Sequence, residues 1–227
     1  FYPKTQKNIK MKINHVLITG GSRGLGRTLA RKFHDEGSYV TVIARDENDL
    51  KSLVHELGDR SDYWICDLSQ SDQISETVEK AVSGFGPIDV LINNAGTGEY
   101  KPFLEQEPED LEKVIQVNVS SLICLTHEVA SRMKELGYGQ IINIASDLGR
   151  RPMANMAVYA ASKHAVVGFS QSLARELKQD GIKCMVLTPG IIDTYFDGRE
   201  EGQIEEEYAL KPDQLAEVVY YMTQQPD

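Results

Sequence analysis

The stretch HVLITGGSRGLGRTLARKFHDEGSYVTVIAR (residues 15–45) decides the fold. It opens with a short β-rich run that ends in glycine. Leu29, Ala30 and Phe33 then recur at helical spacing up to Gly37, and SYVTVIAR (residues 38–45) reads as a second strand. Strand, glycine turn, helix and strand make a βαβ unit, whose crossover requires parallel strands. The pattern then repeats. DYWICDL (62–68), IDVLINNAG (88–96), GQIINIAS (139–146) and IKCMVLTPG (182–190) are short, rich in β-branched residues and closed by turn or polar residues, the signature of buried strands. Helices are predicted over 49–57, 71–84, 108–136, 156–179 and 212–224, with Pro108 and Pro212 at first-turn positions. The expected fold is α/β: a single Rossmann-like doubly wound parallel sheet of at least six strands, with helices on both faces.

A chain of 227 residues suffices for one well-cored domain, and no repeat or low-complexity linker interrupts the alternation. Residues 1–11 read as a polar, lysine-rich extension and residues 12–227 as one domain. The net charge of -10 argues against a nucleic-acid partner and against an anionic membrane. Apolar runs fall short of the ~20 residues that span a bilayer, and the chain start lacks the order of a signal peptide, so a soluble protein is expected. Cys66, Cys124 and Cys184 are odd in number, far apart and set among apolar neighbours. They read as reduced core thiols and point to the cytoplasm. The five histidines (His15, His34, His55, His127, His164) are scattered without ligand spacing, so no metal is expected.

Gly20, Gly24 and Gly26 lie between a strand and a helix, where they let the backbone approach a pyrophosphate while helix N-terminal amides face its charge. The end of the second strand selects the nucleotide in such folds. A carboxylate there bonds the ribose hydroxyls of NAD and repels the extra phosphate of NADP. Here the place reads Ala44 then Arg45, and Arg23 in the glycine turn can approach from the other side. The expected cofactor is NADP(H), with NAD(H) as the other option if both arginines are merely solvated and Asp46 dominates the field.

Tyr159 and Lys163 in YAASK are four residues apart and share one helix face, so an ammonium reaches the neighbourhood of a phenol and is expected to lower its pKa from ~10. Ser146 precedes the tyrosine by thirteen residues. With TGGSRGLG (19–26), CDL, NNAG (93–96), VNV and PGIIDT (189–194), these motifs give the chain from about Lys12 to the last helix a close resemblance to the classical short-chain dehydrogenases/reductases.

That resemblance implies a set of roles. Tyr159 would be the general acid in carbonyl reduction and the base in alcohol oxidation, Ser146 would donate to the substrate oxygen, Lys163 would bind the nicotinamide ribose, and Asn118 would hold a water linking Lys163 to solvent. Around the nucleotide, it implies contacts from Gly20, Ser22, Arg23, Gly24, Leu25, Gly26, Arg45, Asp67, Leu68, Ala95, Pro189 and Gly190. Asn93 and Gly96 would wall the adenosine ribose, and Ile192 and Thr194 would hold the carboxamide and pyrophosphate. Asn93 as a turn residue and Thr194 as a cap remain alternatives.

The expected activity is therefore interconversion of a carbonyl and a secondary alcohol on a small molecule. The alternatives are a 3-oxoacyl acyl-carrier-protein reductase, an NAD-dependent alcohol or polyol dehydrogenase, and a nucleotide sensor without turnover. Residues 191–211, rich in charge and glycine, form a candidate lid. With Met153, Met156, Tyr195 and Phe196 nearby, the lid favours a compact neutral or cationic substrate. The family adds one more strand after the last helix, and the sequence stops at TQQPD, so that strand is expected to be missing. The long apolar helices offer faces for a homodimer or homotetramer.

Overall fold

A computed structural model describes residues 13–70, 72–194 and 209–225. The 1–11 extension, Tyr195, Phe196 and most of the candidate lid lie outside these described residues. Six strands form one all-parallel sheet: β1 (His15–Thr19), β2 (Tyr39–Ala44), β3 (Ser61–Ile65), β4 (Val90–Asn93), β5 (Gly139–Ile144) and β6 (Ile182–Leu187), in the order β3-β2-β1-β4-β5-β6. The helices are α1 (Gly24–Asp35), α2 (Glu47–Leu57), α3 (Asp72–Phe85), α4 (Pro108–Ile115), α5 (Ser121–Leu136), α6 (Ala157–Glu176) and α7 (Pro212–Thr223).

The strands feed two cores by simple alternation. Val16 and Ile18 of β1, Val90 and Ile92 of β4, and Ile142 and Ile144 of β5 pack with Leu29 and Phe33 of α1 and Leu215 and Val219 of α7. Leu17, Leu91 and Ile141 point to the opposite face and meet Val78 of α3 with Leu125, Val129 and Met133 of α5. A parallel strand covered on both faces has no polar side, which is why these runs read as continuously apolar.

One long helix was expected over 108–136. The structure breaks it into α4, a π turn at Gln116–Ser120 and α5. The extra residue in the turn sends the Ser121 N–H to the Gln116 carbonyl, and Asn118, at the bulge, is tied to other elements. The predicted 156–179 helix likewise ends early, tightening to a 3-10 turn (Leu177–Asp180) that Gly181 closes at φ 72°. Of the three expected core thiols, Cys66 and Cys184 are buried and Cys124 is exposed on α5, a correction that the helix register explains.

Two buried polar arrangements brace the sheet. Asn93 of β4 donates through Nδ2 to Asn143 Oδ1 of β5 (2.8 Å), and Asn143 donates to Ser170 Oγ of α6 (2.8 Å). At the opposite end, His15 is fully buried with Nδ1 2.9 Å from the Gly86 carbonyl and Nε2 2.9 Å from Thr41 Oγ1. A carbonyl only accepts, so Nδ1 carries the proton and Nε2 accepts from the threonine. Burial pulls the His15 pKa down, against the weaker opposing effects of the Gly86 carbonyl and Asp89.

Candidate active site

The carboxyl ends of the six strands collect nearly every residue singled out above, and the strand order reverses between β1 and β4, where open α/β sheets form their ligand crevice. The glycine turn follows β1. Gly20 (φ 65°) and Gly24 (φ 53°) occupy the left-handed region. A Cβ at Gly26 would overlap the Gly20 carbonyl oxygen and lie 2.6 Å from Asn94 Nδ2, so α1 starts pressed against the end of β1. Asn94 fixes this contact by donating to the carbonyls of Thr19 (3.0 Å) and Gly20 (3.2 Å). Thr19 Oγ1 in turn accepts the N–H groups of Asn94 and Ala95, both at 2.9 Å. The sequence reading passed over Thr19 and Asn94, although each stands inside a quoted motif.

This cradle suits a dinucleotide pyrophosphate. The first turn of α1 carries no acidic residue, and its N-cap, Arg23, places no side chain on the amides. Helix-terminal donors and the positive end of the helix dipole therefore face the space beyond the glycines. Ser22 is half-buried, Arg23 is exposed and Leu25 is buried. Arg45 stands exposed after β2, close enough to Asp67 to act on it. The Asp67 carboxyl is held below its ordinary range, chiefly by the Ser69 backbone N–H at 3.0 Å, with lesser help from the Ser69 side chain and the charges of Arg45 and Lys113. Leu68 beside it is buried.

Asn93 closes β4. Its amide turns inward, donating to Thr126 Oγ1 (2.9 Å) and Asn143, because the β4 alternation points residue 93 away from the crevice. Gly96 does face the site: a methyl there would stand 3.4 Å from both Lys163 Nζ and Asn118 Oδ1. Asn118 is buried and fully engaged. Its Oδ1 accepts from Thr97 N (2.8 Å), and its Nδ2 donates to Thr97 O (2.8 Å) and Ser162 Oγ (3.0 Å). Its side chain clamps the loop after β4 onto α6.

Ser146 ends the β5 segment and caps a 3-10 turn (Asp147–Gly149), accepting from Leu148 N (3.2 Å) and donating to Asp147 Oδ1 (3.1 Å). The Tyr159 phenol is hydrogen-bonded with the Ser146 hydroxyl. Lys163 lies one turn further along α6, buried, its Nζ donating to the Ile144 carbonyl (2.9 Å) and standing 5.6 Å from the centre of the tyrosine ring. A Cβ at Gly149 would come within 2.8 Å of the Lys163 carbonyl, so the serine turn and the lysine helix pack backbone to backbone.

The expected lowering of the phenol pKa is overturned in direction. Burial pushes Tyr159 up to about 12; the hydrogen bond with Ser146 opposes this and the Asp147 charge adds to it. Burial also brings Lys163 down to about 8. The lysine donates to the Ile144 carbonyl and stands over the tyrosine ring, and desolvation is the leading cause for both groups.

Pro189 is buried, and its carbonyl accepts the Asp147 N–H at 2.8 Å, joining the loop after β6 to the serine turn. Gly190 is exposed, Ile192 bridges to Leu210, and Thr194 is half-buried at the edge of the described residues. No group of three or more metal-ligating side chains occurs among the described residues, and none of their helices is long and apolar enough to cross a membrane. The site thus offers a hydroxyl, a phenol and an ammonium beside a phosphate cradle, a set able to move a proton to or from an oxygen atom.

The model of the short chain dehydrogenase family matches residues 14–204. The 3-oxoacyl acyl-carrier-protein reductase of Escherichia coli is 34% identical over 178 residues, which cover 78% of this chain and 73% of that protein. Among solved structures, an alcohol dehydrogenase of the archaeon Thermococcus sibiricus complexed with 5-hydroxy-NADP superposes with a TM-score of 0.88 at 30% identity, covering 95% of this chain and 92% of the other. A 3-ketoacyl acyl-carrier-protein reductase of Brucella melitensis complexed with NADH gives a TM-score of 0.87 at 30% identity, with coverage of 94% and 91%. The fold, the crevice and these likenesses agree, and the chain belongs to the short-chain dehydrogenase family.

Proposed function

We propose that this oxidoreductase is a carbonyl reductase that uses NADP(H) and interconverts a small carbonyl compound and its secondary alcohol. The observation that carries the reading is the contact of Ser146 with Tyr159 on one wall of the crevice, with Lys163 one helical turn away and the glycine cradle adjoining. The residues that would hold the nucleotide are the glycine turn, Arg45, Asp67, Leu68, Ala95, Gly96 and the segment from Pro189 to Thr194. A reduced nicotinamide bound there supplies the hydride for the carbonyl carbon. Ser146 orients the carbonyl oxygen by hydrogen bonding, and Tyr159, protonated across the physiological range by burial, delivers its proton to that oxygen. The ammonium of Lys163, at about 8, is charged at neutral pH and keeps further N–H donors for a ribose hydroxyl while one bonds the Ile144 carbonyl.

The preference for NADP(H) rests on Arg45 and on the missing carboxylate at the end of β2. Relatives divide on this point, one solved with an NADP derivative and another with NADH, which keeps NAD(H) as the competing cofactor. A 3-oxoacyl acyl-carrier-protein reductase is the second reading, favoured by the Escherichia coli relative. Assembly as a homodimer or homotetramer is supported by Ile115 and Ile123, exposed on α4 and α5, and the reduced cysteines suit the cytoplasm. The test is titration with NADPH and NADH, then a panel of carbonyl compounds followed by loss of nicotinamide absorbance. Tight NADPH binding with turnover supports the reading. Tight binding without turnover on any compound replaces it with a nucleotide sensor.

A further inference from the structure

Asp147 has no assigned part, yet its carboxylate stands in the reaction site. Its Oδ1 lies 3.1 Å from Ser146 Oγ and receives the serine proton. Its backbone is fixed on both sides, the N–H donating to the Pro189 carbonyl (2.8 Å) and the carbonyl accepting the N–H groups of Arg150 (2.8 Å) and Arg151 (2.9 Å). The side chain is exposed toward solvent, and among the described residues Ser146 supplies the one side-chain hydrogen bond it has. The guanidinium groups of Arg150 and Arg151 are exposed in the same turn, and neither makes an ion pair with it.

A serine hydroxyl has a single proton to donate. In this structure that hydroxyl proton points at Asp147 Oδ1; to polarise a carbonyl it must turn to the substrate oxygen. That rotation leaves a carboxylate next to the reacting centre with its acceptor oxygen open to a donor on a substrate of the right shape. An N–H or O–H on the carbon adjacent to the carbonyl lies within about 3 Å of the carbonyl oxygen, a normal hydrogen-bond span. It can therefore reach Asp147 while the carbonyl takes the Ser146 proton. We propose that Asp147 is a specificity-determining residue that selects carbonyl substrates bearing a hydroxyl or ammonium donor on the adjacent carbon. In the reverse direction these substrates are vicinal diols and amino alcohols. The inference rests on the carbonyl-reductase reading and names its substrate class.

The field at the catalytic pair agrees with this role. The Asp147 charge adds to the upward shift of the Tyr159 phenol, so the carboxylate stands close enough to act on the phenol's charge. A donor that covers the carboxylate relieves this repulsion in the step where the phenol loses its proton.

The test compares three ketones of similar shape: acetoin, 3-amino-2-butanone and 3-methyl-2-butanone, whose adjacent carbon carries hydroxyl, ammonium and methyl. With NADPH saturating, kcat/KM is measured for the wild type, Asp147→Ala and Asp147→Asn. The ratio of each donor-bearing ketone to the methyl ketone should fall roughly tenfold or more in Asp147→Ala. Intrinsic ketone reactivity cancels in that comparison. In Asp147→Asn the acetoin ratio should recover, because an amide oxygen still accepts, while the amino-ketone ratio stays low for want of charge. Ratios unchanged in Asp147→Ala overturn the role of Asp147 and leave the reductase reading standing. Failure of the wild type to turn over any ketone despite binding NADPH overturns that reading, and the inference with it.

Discussion

Adding one methyl group should have opposite effects at two glycines of this chain. At Gly26 the new Cβ meets the Gly20 carbonyl and the Asn94 amide nitrogen, both held in place: Gly20 by its N–H bond to Ile43 (2.8 Å), Asn94 by two carbonyls. Neither is the loose end of a flexible side chain, so α1 must lift away from β1. Overpacking of this kind costs about 1–3 kcal/mol, and weakening the two Asn94 bonds adds roughly 1 kcal/mol, for a total of about 2–4 kcal/mol. In a protein of this size that lowers Tm by roughly 5–15 °C. At Gly168, in the middle of α6, a Cβ meets nothing within 4 Å, and the helical backbone accepts alanine. There the same substitution should stabilise by about 0.5–1 kcal/mol, since glycine carries more conformational entropy into the unfolded state. Thermal unfolding of Gly26→Ala, Gly168→Ala and the wild type, scanned with and without NADPH, decides the matter. NADPH should raise Tm in Gly168→Ala as in the wild type, and by much less in Gly26→Ala. A Gly26→Ala protein melting within 2 °C of the wild type would refute the argument that the cradle has no room.

Arg45→Asp should weaken NADPH binding by about 10- to 100-fold, the scale of a lost charge-assisted bond, and leave NADH binding much less affected; equal losses would remove Arg45 from the phosphate site. Tyr159→Phe should lower kcat by ~100- to 10,000-fold with little change in NADPH affinity, because the missing group acts on the proton; full activity would discard the mechanism. His15 is held neutral by burial with its pKa below 6.5, so the unfolded chain takes up the proton first as pH falls. The stability this gives is present above the unfolded pKa and is lost from about 6.5 downward toward the lowered folded value. Urea unfolding at pH 7.5 and 5.5 should show a smaller loss on acidification in His15→Gln than in the wild type. Part of the loss should persist through His34, whose pKa burial also lowers with help from Arg60. An identical loss in both proteins would exclude His15 as its source.

The layered sheet was legible in the sequence because its causes are local: β-branched runs buried on both faces, glycines at the turns, and prolines opening α4 and α7. The glycine turn, Asp67 and Ser146 were legible because they follow strands, and Tyr159 with Lys163 because they share a helix face. Their interactions were less so. The π turn at Gln116–Ser120 has no sequence period of its own, and Asn118 within it bonds Thr97 and Ser162 on other elements. The inward turn of the Asn93 amide and the bonds of Asn94 to the glycine turn depend on how β1 and β4 lie side by side, which a motif alone does not tell. The direction of the Tyr159 shift escaped because helical spacing places a cation near the phenol but says nothing of how deeply both are buried, nor of the Ile144 carbonyl that claims the ammonium.

The buried line from Asn93 through Asn143 to Ser170 acts as a ruler for the chemistry. Asn143 lies three residues before Ser146 on one element, and Ser170 lies seven residues, close to two helical turns, after Lys163 on the other. The bond that sets the height of the helix against the strand therefore also sets how far the serine hydroxyl stands from the lysine ammonium. A substitution along this line would change the separation of the reacting groups without touching either of them, so mutants there should show altered turnover with an intact nucleotide cradle. The interior of the sheet, and not the crevice alone, therefore carries part of this protein's catalytic geometry.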